Sequence, residues 1–252
     1  VIAELGLPIV SHGVFSVGPK YGCTHHLTLK ELGYNSNNDH QEIVERLENK
    51  DIGWAYADQS MFNPKLHNLM SLRKQIIKRP VITTVEVLVK PVSSKNDMFF
   101  TGFVHKPYPP IYLELSRNAQ FNSATVIRGT EGGIIPSLRQ TGKVHFYHSA
   151  GEQDDYYDVT PEDLGIVQSS RAVDIPEEIT RKNTKDKIES KVDAVDIAKE
   201  TIKSGTSALS GNDGPMLSCI QLGAAIILQR ATGNDLGNCC LLYTSPSPRD
   251  TG

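Results

Sequence analysis

Short apolar segments alternate with amphipathic segments along most of this sequence, and this alternation restricts the possible fold more than any other feature. The apolar runs at residues 52–57 and 99–104 are too short for buried helices and are typical of strands. Residues 38–49 and 110–120 instead place apolar side chains at helical spacing, and Asn38 or Asp39 is predicted as the N-cap of the first of these helices. Two further helices are predicted at residues 192–203, ended by Gly205, and at residues 215–229, where apolar side chains on nearly every face predict a buried helix. Alternating strands and helices predict an α/β fold, with a mainly parallel sheet flanked by helices.

Size, charge and cysteine content exclude several classes of protein. The 252 residues, 38% of them hydrophobic, suffice for one large or two small domains with a real core. No apolar run reaches the roughly 18 residues of a membrane helix, and no charged leader opens the sequence, so we expect neither a membrane span nor a signal peptide. The net charge of −3 argues against polyanion binding over the whole surface. Four cysteines without metal-ligand spacing indicate a reduced, cytoplasmic compartment.

Residues 123–142, SATVIRGTEGGIIPSLRQTG, are the first place where the sequence predicts a ligand site. A strand there opens into clustered glycines, which let a backbone approach a ligand closely, and ligands of α/β sheets bind at such carboxyl ends of strands. The neighbouring cations favour an anionic, phosphate-bearing ligand, although a glycine turn with solvated cations is an equally weighted alternative. The candidate residues are Arg128, Gly129, Gly132, Gly133, Arg139 and Lys143.

The motif Arg128-Gly129-Thr130-Glu131-Gly132-Gly133 resembles the HG-x-x-G-L-D-E loop of glycosyltransferase family 3, to which the anthranilate phosphoribosyltransferases belong. In that family the Asp-Glu pair holds the magnesium that accompanies phosphoribosyl diphosphate. Ile134 and Ile135 occupy those positions here, and isoleucine cannot bind a cation that requires oxygen ligands. The resemblance therefore implies the large α/β domain of the phosphoribosyltransferase and nucleoside phosphorylase type, with its metal ligands replaced.

A second segment, residues 11–33, resembles the family's KHGN…GSAD loop and the following helix that ends in L-G. Ser11, Val14 and His25 stand where the family has lysine, asparagine and aspartate. The resemblance implies that this loop holds phosphate, and N–H groups at the start of a helix attract anions whatever the side chains. The anion-binding residues predicted here are Ser11, His12, Gly13, Gly22 and Thr24.

The histidines of this segment do not predict a metal site. His25 and His26 are adjacent, so on a helix they point in different directions, and no third ligand follows at helical spacing. Together with His12 they are more simply interpreted as loop and surface histidines. We therefore expect no metal and no cofactor, with Mg²⁺ required only if the chain is an active transferase.

A basic segment ends the helix that is predicted to begin near Pro64. Cations at this position complement the helix dipole, and a solvated basic face is the simpler interpretation. The segment also resembles the family's H-P-A-M…V-R-K…G-x-R-T stretch, which implies that its first arginine faces an acceptor carboxylate. Asn63 and Pro80 replace the family's histidine and threonine. The candidate acceptor-binding or nucleic-acid-binding residues are Arg73, Lys74, Lys78 and Arg79.

The resemblance also implies a domain organisation. Residues 1–79 and 96–237 correspond to two parts of one α/β domain, and residues 80–95 to a segment of a small helical domain that is mostly missing. We expect an exposed apolar face on residues 81–92 for that reason.

Residues 159–166, VTPEDLGI, nearly repeat the family's L-T-P-E-D-L-G-L, and Thr160 is predicted to cap a short helix there. Residues 152–158 are predicted to be an acidic turn and residues 177–191 a charged linker. Residues 209–225 resemble the family's closing L-x-G…G-P…N-A-A helix, with Gly223 in place of its asparagine. Residues 238–252 are predicted to be an unstructured tail, which from Cys240 resembles a translated sequencing adapter.

Two functions are compatible with these patterns. The resemblance implies a homodimeric pentosyl- or phosphoribosyltransferase that uses phosphoribosyl diphosphate and an aromatic or base acceptor. The family also contains paralogues without transferase activity that bind nucleic acid, and the GG-x-x-PSLRQ pattern is more similar to theirs. We favour a protein with degenerate diphosphate and metal residues that binds nucleic acid or another phosphorylated ligand. Since acidic residues concentrate in 152–163 and 177–196, the net charge does not forbid this.

Overall fold

A computed structural model describes residues 1–15, 22–76, 81–181 and 192–241. The strands are β1 (Ile9–Gly13), β2 (Trp54–Asp58), β3 (Met98–Phe103), β4 (Ser123–Arg128), β5 (Gly142–Tyr147) and β6 (Asp155–Val159). The helices are α1 (His25–Glu31), α2 (His40–Glu48), α3 (Gln59–Phe62), α4 (Pro64–His67), α5 (Met70–Gln75), α6 (Ile82–Val85), α7 (Tyr108–Asn118), α8 (Glu177–Arg181), α9 (Ala194–Leu209), α10 (Pro215–Thr232) and α11 (Leu236–Leu241). This α/β architecture confirms the predicted fold class.

The chain forms two compact units: Val1–Ser93 with Asp174–Ser210, and Ser94–Val173 with Gly211–Gly252. None of the helices within the described ranges is both long and apolar enough to cross a membrane. The assignment of residues 80–95 to a small helical domain stays a prediction. In that segment Val81 is 78% exposed and Val85 43% exposed, which agrees with the expected exposed apolar face, whereas Leu88 is buried.

In the first unit, β1 and β2 form a parallel pair, with Gly13 opposite Asp58. Parallel strands need a crossover connection, which α1 and α2 supply. Helix α2 begins at His40, and its N-cap is Asp39, one of the two predicted positions. The Asp39 carboxylate accepts a hydrogen bond from the Glu42 amide at 2.9 Å. The Glu42 carboxylate in turn accepts one from the Asp39 amide at 2.8 Å, which completes a capping box. Ile43 on this helix packs against both strands, and this contact holds α2 against the β1–β2 pair.

In the second unit the strand order is β3-β4-β5-β6. β3 and β4 are parallel and connected through α7, whereas the pairs β4–β5 and β5–β6 are antiparallel. The connection from β4 to β5 is a glycine-containing loop without a crossover helix, so β5 returns alongside β4. Helix α10 is buried along most of its length, as predicted, and includes the fully buried residues Leu222 and Ile226.

Several predicted elements differ from the structure. The acidic segment predicted as a turn contains strand β6, because its two tyrosines favour a strand and its aspartates protect an exposed edge. The helix expected from Pro64 is divided into α4 and α5 by a turn at Asn68. Helix α9 continues through Gly205, where an internal glycine costs only about 1 kcal/mol.

The chain ends and caps also differ from expectation. The expected linker begins with α8, and residues 182–191 lie outside the described part. Thr160 precedes a 3-10 helix, Pro161–Leu164, but its hydroxyl lies 3.1 Å from the Thr141 hydroxyl instead of capping the helix. Cys239 and Cys240 are buried in α11, so the tail predicted from residue 238 is wrong up to Leu241. Residues 242–252 lie outside the described part.

Candidate functional site

The carboxyl ends of β1 and β2 bring several polar side chains of the first unit together, which we call the strand-end cluster: Ser11, His12, His25, His26, Tyr56 and Asp58. The cluster combines the end of β1, the start of α1 and the end of β2, the position at which α/β proteins bind ligands. Sequence reasoning found Ser11 and His12 as site residues. It missed Tyr56 and Asp58, although their position at the end of a predicted strand was the available signal.

His26 lies at the centre of a buried hydrogen-bond network. Its Nε2 is 3.0 Å from the Ser36 hydroxyl, and its Nδ1 is 3.2 Å from the Tyr56 hydroxyl and 3.9 Å from an Asp58 carboxylate oxygen. Burial lowers the pKa of His26, while the nearby Asp58 carboxylate opposes this and Lys30 adds to it. Burial also raises the pKa of Tyr56, with the Asp58 charge adding to the rise. Tyr56 is therefore protonated, and His26 is mainly uncharged at neutral pH.

His25 is the exposed member of the cluster. Its Nε2 lies 3.3 Å from the Ser11 hydroxyl, and its ring centroid is 5.5 Å from that of Tyr56. The half-buried His12 places its ring edge-on to Phe62, and burial lowers its pKa although the Val87 backbone opposes the shift. The cluster thus supplies hydroxyl and imidazole hydrogen-bonding groups with little fixed positive charge.

Thr24 and Gly22 support the start of α1. The Thr24 hydroxyl accepts a hydrogen bond from the Leu27 amide at 3.2 Å and donates one to the Phe15 carbonyl at 2.6 Å. It therefore acts as the N-cap of α1. Gly22 has a φ of +78°, which few side-chain-bearing residues adopt. Gly13 lies beside Tyr56, since a Cβ built on it would be 3.5 Å from the tyrosine hydroxyl.

The glycine loop after β4, in the second unit, is closed on itself. The amide of Thr130 donates to the carbonyl of Ile135 at 3.0 Å, and the amide of Gly133 donates to the carbonyl of Thr130 at 3.1 Å. The amide of Gly132 bonds to the Gly129 carbonyl at 3.3 Å. A Cβ on Gly129 would overlap the carbonyl oxygen of Gly133. In this conformation the glycines permit close backbone packing, and these three amides are already bonded within the loop.

The predicted cations differ in their surroundings. Arg128 is exposed at the end of β4. The guanidinium of Arg139 donates to the carbonyl of Ser169 at 3.1 Å. Lys143 pairs with the Asp158 carboxylate at 3.0 Å, and its ammonium lies 4.1 Å from the ring centroid of Tyr156. These pairings leave Arg128 as the cation of this loop that is best placed to meet a ligand.

Arg73 of the first unit is held by an acidic partner. Its Nη1 donates to a carboxylate oxygen of Glu86 at 2.5 Å, and the two side chains are only 10% and 16% exposed. Sequence reasoning missed Glu86 because it lies in the apolar segment that follows the basic helix. The side chain of Lys74 and the residues Lys78 and Arg79 lie outside the described part.

Ile134 and Ile135, which occupy the positions of the metal ligands in glycosyltransferase family 3, differ in their surroundings. Ile134 is 39% exposed, whereas Ile135 lies against α10. A Cβ built on the buried Gly223 of that helix would be 3.4 Å from Cγ1 and 4.0 Å from Cδ1 of Ile135. Gly223 itself stands where the family has asparagine, so two substituted positions face each other in an apolar contact. Within the described ranges, no group of three or more His, Cys, Asp or Glu residues could hold a metal ion.

Comparison with known proteins finds an uncharacterized protein and several anthranilate phosphoribosyltransferases, although no protein-family model matches the chain. An uncharacterized protein of Aquifex aeolicus is 30% identical over 134 residues, which are 53% of this chain and 38% of the relative. The anthranilate phosphoribosyltransferase of Novosphingobium aromaticivorans is 25% identical over 170 residues, 68% of this chain and 49% of that enzyme. The enzyme of Aeropyrum pernix is 24% identical over 166 residues, 66% of this chain and 46% of its own. The chain therefore spans about half or less of the length of these relatives.

Solved structures agree with these similarities at the level of the fold. The anthranilate phosphoribosyltransferase of Saccharomyces cerevisiae in complex with PRPP and Mg superposes with a TM-score of 0.68 at 16% identity, over 99% of this chain and 63% of that one. The same enzyme in complex with 4-fluoroanthranilate gives a TM-score of 0.65 at 17% identity, over 99% and 62% of the two chains. The fold implied by the sequence resemblance is therefore confirmed.

Proposed function

We propose that this chain, which is related to the anthranilate phosphoribosyltransferases of glycosyltransferase family 3, binds a phosphate-rich ligand without carrying out magnesium-dependent phosphoribosyl transfer. Nucleic acid is the ligand that we assign to it. The active transferase, acting on phosphoribosyl diphosphate and an aromatic or base acceptor, is the alternative. The homodimer implied by the family stays a prediction that analytical ultracentrifugation checks.

The contact between Ile135 and Gly223 carries this proposal. The position that holds a metal-binding carboxylate in the family is occupied by an aliphatic side chain that lies against a buried helix residue. Magnesium needs oxygen ligands in a nearly octahedral arrangement, which isoleucine does not offer. Since metal ions stabilise the charge that develops on transferring groups, their loss costs on the order of several kcal/mol of transition-state stabilisation.

Arg128 supports the ligand-binding part of the proposal. It is exposed at the carboxyl end of β4, the edge of the sheet at which α/β proteins bind ligands. Considered by itself, the first unit offers the hydroxyl of Ser11 and the imidazole of His25 in the strand-end cluster, two groups that can donate hydrogen bonds to phosphate oxygens. Phosphate contacts of this kind position a nucleic acid without reading its sequence.

Titration of single-stranded DNA at several salt concentrations tests the proposed binding. We expect the logarithm of affinity to fall with the logarithm of salt concentration by about 0.7 per phosphate contact, since bound counterions are released. Arg128→Ala should weaken binding to all sequences alike and reduce the slope by about one contact. Lys95→Ala is the matched control. Lys95 is exposed just before β3, and therefore lies near the amino end of the parallel β3–β4 pair, whereas Arg128 lies at the carboxyl end. The absence of binding at low salt, or equal effects of both substitutions, rejects the proposal.

A steady-state assay with anthranilate, phosphoribosyl diphosphate and Mg²⁺ tests the enzymatic alternative. We expect no magnesium-dependent turnover above the background without protein. Turnover at an ordinary enzymatic rate, on the order of 1 per second or faster, would overturn the proposal and establish the transferase.

A further inference from the structure

We propose that the strand-end cluster binds an oxyanion together with a proton, which is taken up by His25. The inference rests on the proposed binding of phosphate-rich ligands and adds how that binding is regulated: by pH, through a side chain that stands where the family has an aspartate.

The geometry supplies an accessible pair of hydrogen-bonding groups that lacks a permanent charge. Ser11 Oγ and His25 Nε2 are 3.3 Å apart at the carboxyl end of β1. Ser11 replaces the lysine that provides a fixed cation in the family, so this pair offers an anion only neutral partners. A protonated imidazole would give the anion a charge-assisted hydrogen bond, which is roughly twice as strong as a neutral one.

His25 is better suited than the adjacent His26 to take up a proton when an anion binds. Both ring nitrogens of His26 lie within hydrogen-bond distance of hydroxyl groups, those of Ser36 and Tyr56, and its side chain is buried. His25 is exposed, so an anion can reach its ring.

The groups around His25 favour its uncharged form in the absence of a ligand. Ser11 faces it from β1, Tyr56 from β2 and His26 from α1 itself. Its pKa lies below the ordinary value, because part of the ring is removed from water and because His26 stands beside it. The charged side chains of the packed elements are Asp58 on β2, Lys30 and Glu31 on α1, and Asp196, Lys199, Glu200 and Lys203 on α9.

A bound anion changes this balance. A negative charge within hydrogen-bond reach favours the imidazolium form and raises the pKa of the histidine. By thermodynamic linkage, the protonated protein binds the anion more tightly by the same factor. A rise of about one unit in the pKa corresponds to about tenfold tighter binding, so affinity should increase as the pH falls below about 7.

Sulfate is the probe for the experiment, because its own charge is constant between about pH 5.5 and 8 whereas that of phosphate is not. The pKa of each histidine is measured by NMR from its ring resonances, with and without sulfate, at an ionic strength matched with chloride. We expect sulfate to raise the pKa of His25 by about one unit and to bind about tenfold more tightly at the acidic end of the range. The exposed His40 at the start of α2 should show no sulfate-dependent shift.

Substitutions assign the proton to its site. His25→Gln should remove the pH dependence of sulfate affinity, while His40→Gln should preserve it, and circular dichroism of both variants checks that the fold is intact. Sulfate affinity that does not vary with pH, or a pH dependence that survives His25→Gln, overturns the inference. So does the absence of sulfate binding throughout the range. DNA binding that persists in these cases leaves the proposed function standing, so the two failures are distinguishable.

Discussion

The contact between Ile135 and Gly223 allows a quantitative prediction at a position where the chain differs from the glycosyltransferase family 3 pattern that it resembles. In Gly223→Ala the new Cβ meets Ile135 at 3.4 Å, which is an ordinary contact distance, and the helix gains the better helix former. We expect a stability change between neutral and about 1 kcal/mol favourable. Gly223→Asn, which restores the family's residue, must place a polar amide against the isoleucine. Overpacking and an unsatisfied buried amide each cost about 1–3 kcal/mol, so we expect a loss of about 2–6 kcal/mol.

Urea denaturation followed by circular dichroism measures these differences, and a double-mutant cycle isolates the contact. In the Ile135→Ala background the space beside α10 is larger, and Gly223→Asn should cost less by about 1 kcal/mol or more. If the asparagine costs the same in both backgrounds, Ile135 is not what excludes it, and the apolar contact loses its part in the proposed function. A stable Gly223→Asn single variant would refute the reasoning directly.

Three further predictions concern other parts of the structure. Arg73→Ala should lower the free energy of unfolding by up to about 3–5 kcal/mol, because it leaves the mostly buried Glu86 carboxylate unpaired, and a urea titration beside the Glu86→Gln/Arg73→Met double variant checks this. The folded pKa of His26 is lowered, so the unfolded chain binds more protons below about pH 6.5 and stability should fall as the pH falls through that window, with a smaller slope in His26→Gln. Gly129→Ala should destabilise the second unit by about 3 kcal/mol or more in thermal unfolding, because its methyl group overlaps the Gly133 carbonyl.

The sequence predicted best where the signal is local. The polar residues before the apolar spacing of α2 placed its N-cap at Asn38 or Asp39, and the apolar pattern of residues 215–229 identified α10 as a buried helix. It predicted least well those elements whose conformation depends on contacts with other parts of the chain. Strand β6 has no apolar alternation and is held by its hydrogen bonds to β5, so composition alone indicated a turn. The buried part of α11 was missed for a related reason, because α11 packs against α10 and against the 3-10 helix Pro161–Leu164, which is distant in the sequence.

In the candidate site, too, the sequence identified the types of residue but not the partners that surround them. Counting cations predicted a basic surface, but the charge available to a ligand depends on the partners that each cation has. Arg73 is bound to Glu86, Lys143 to Asp158 and Arg139 to a backbone carbonyl, none of which a spacing pattern reveals. Histidines, which the sequence offered only as weak metal candidates, are instead brought together by the parallel pairing of β1 and β2. Since an imidazole changes charge near neutral pH and an arginine does not, a site built this way responds to pH where the family's lysine would not.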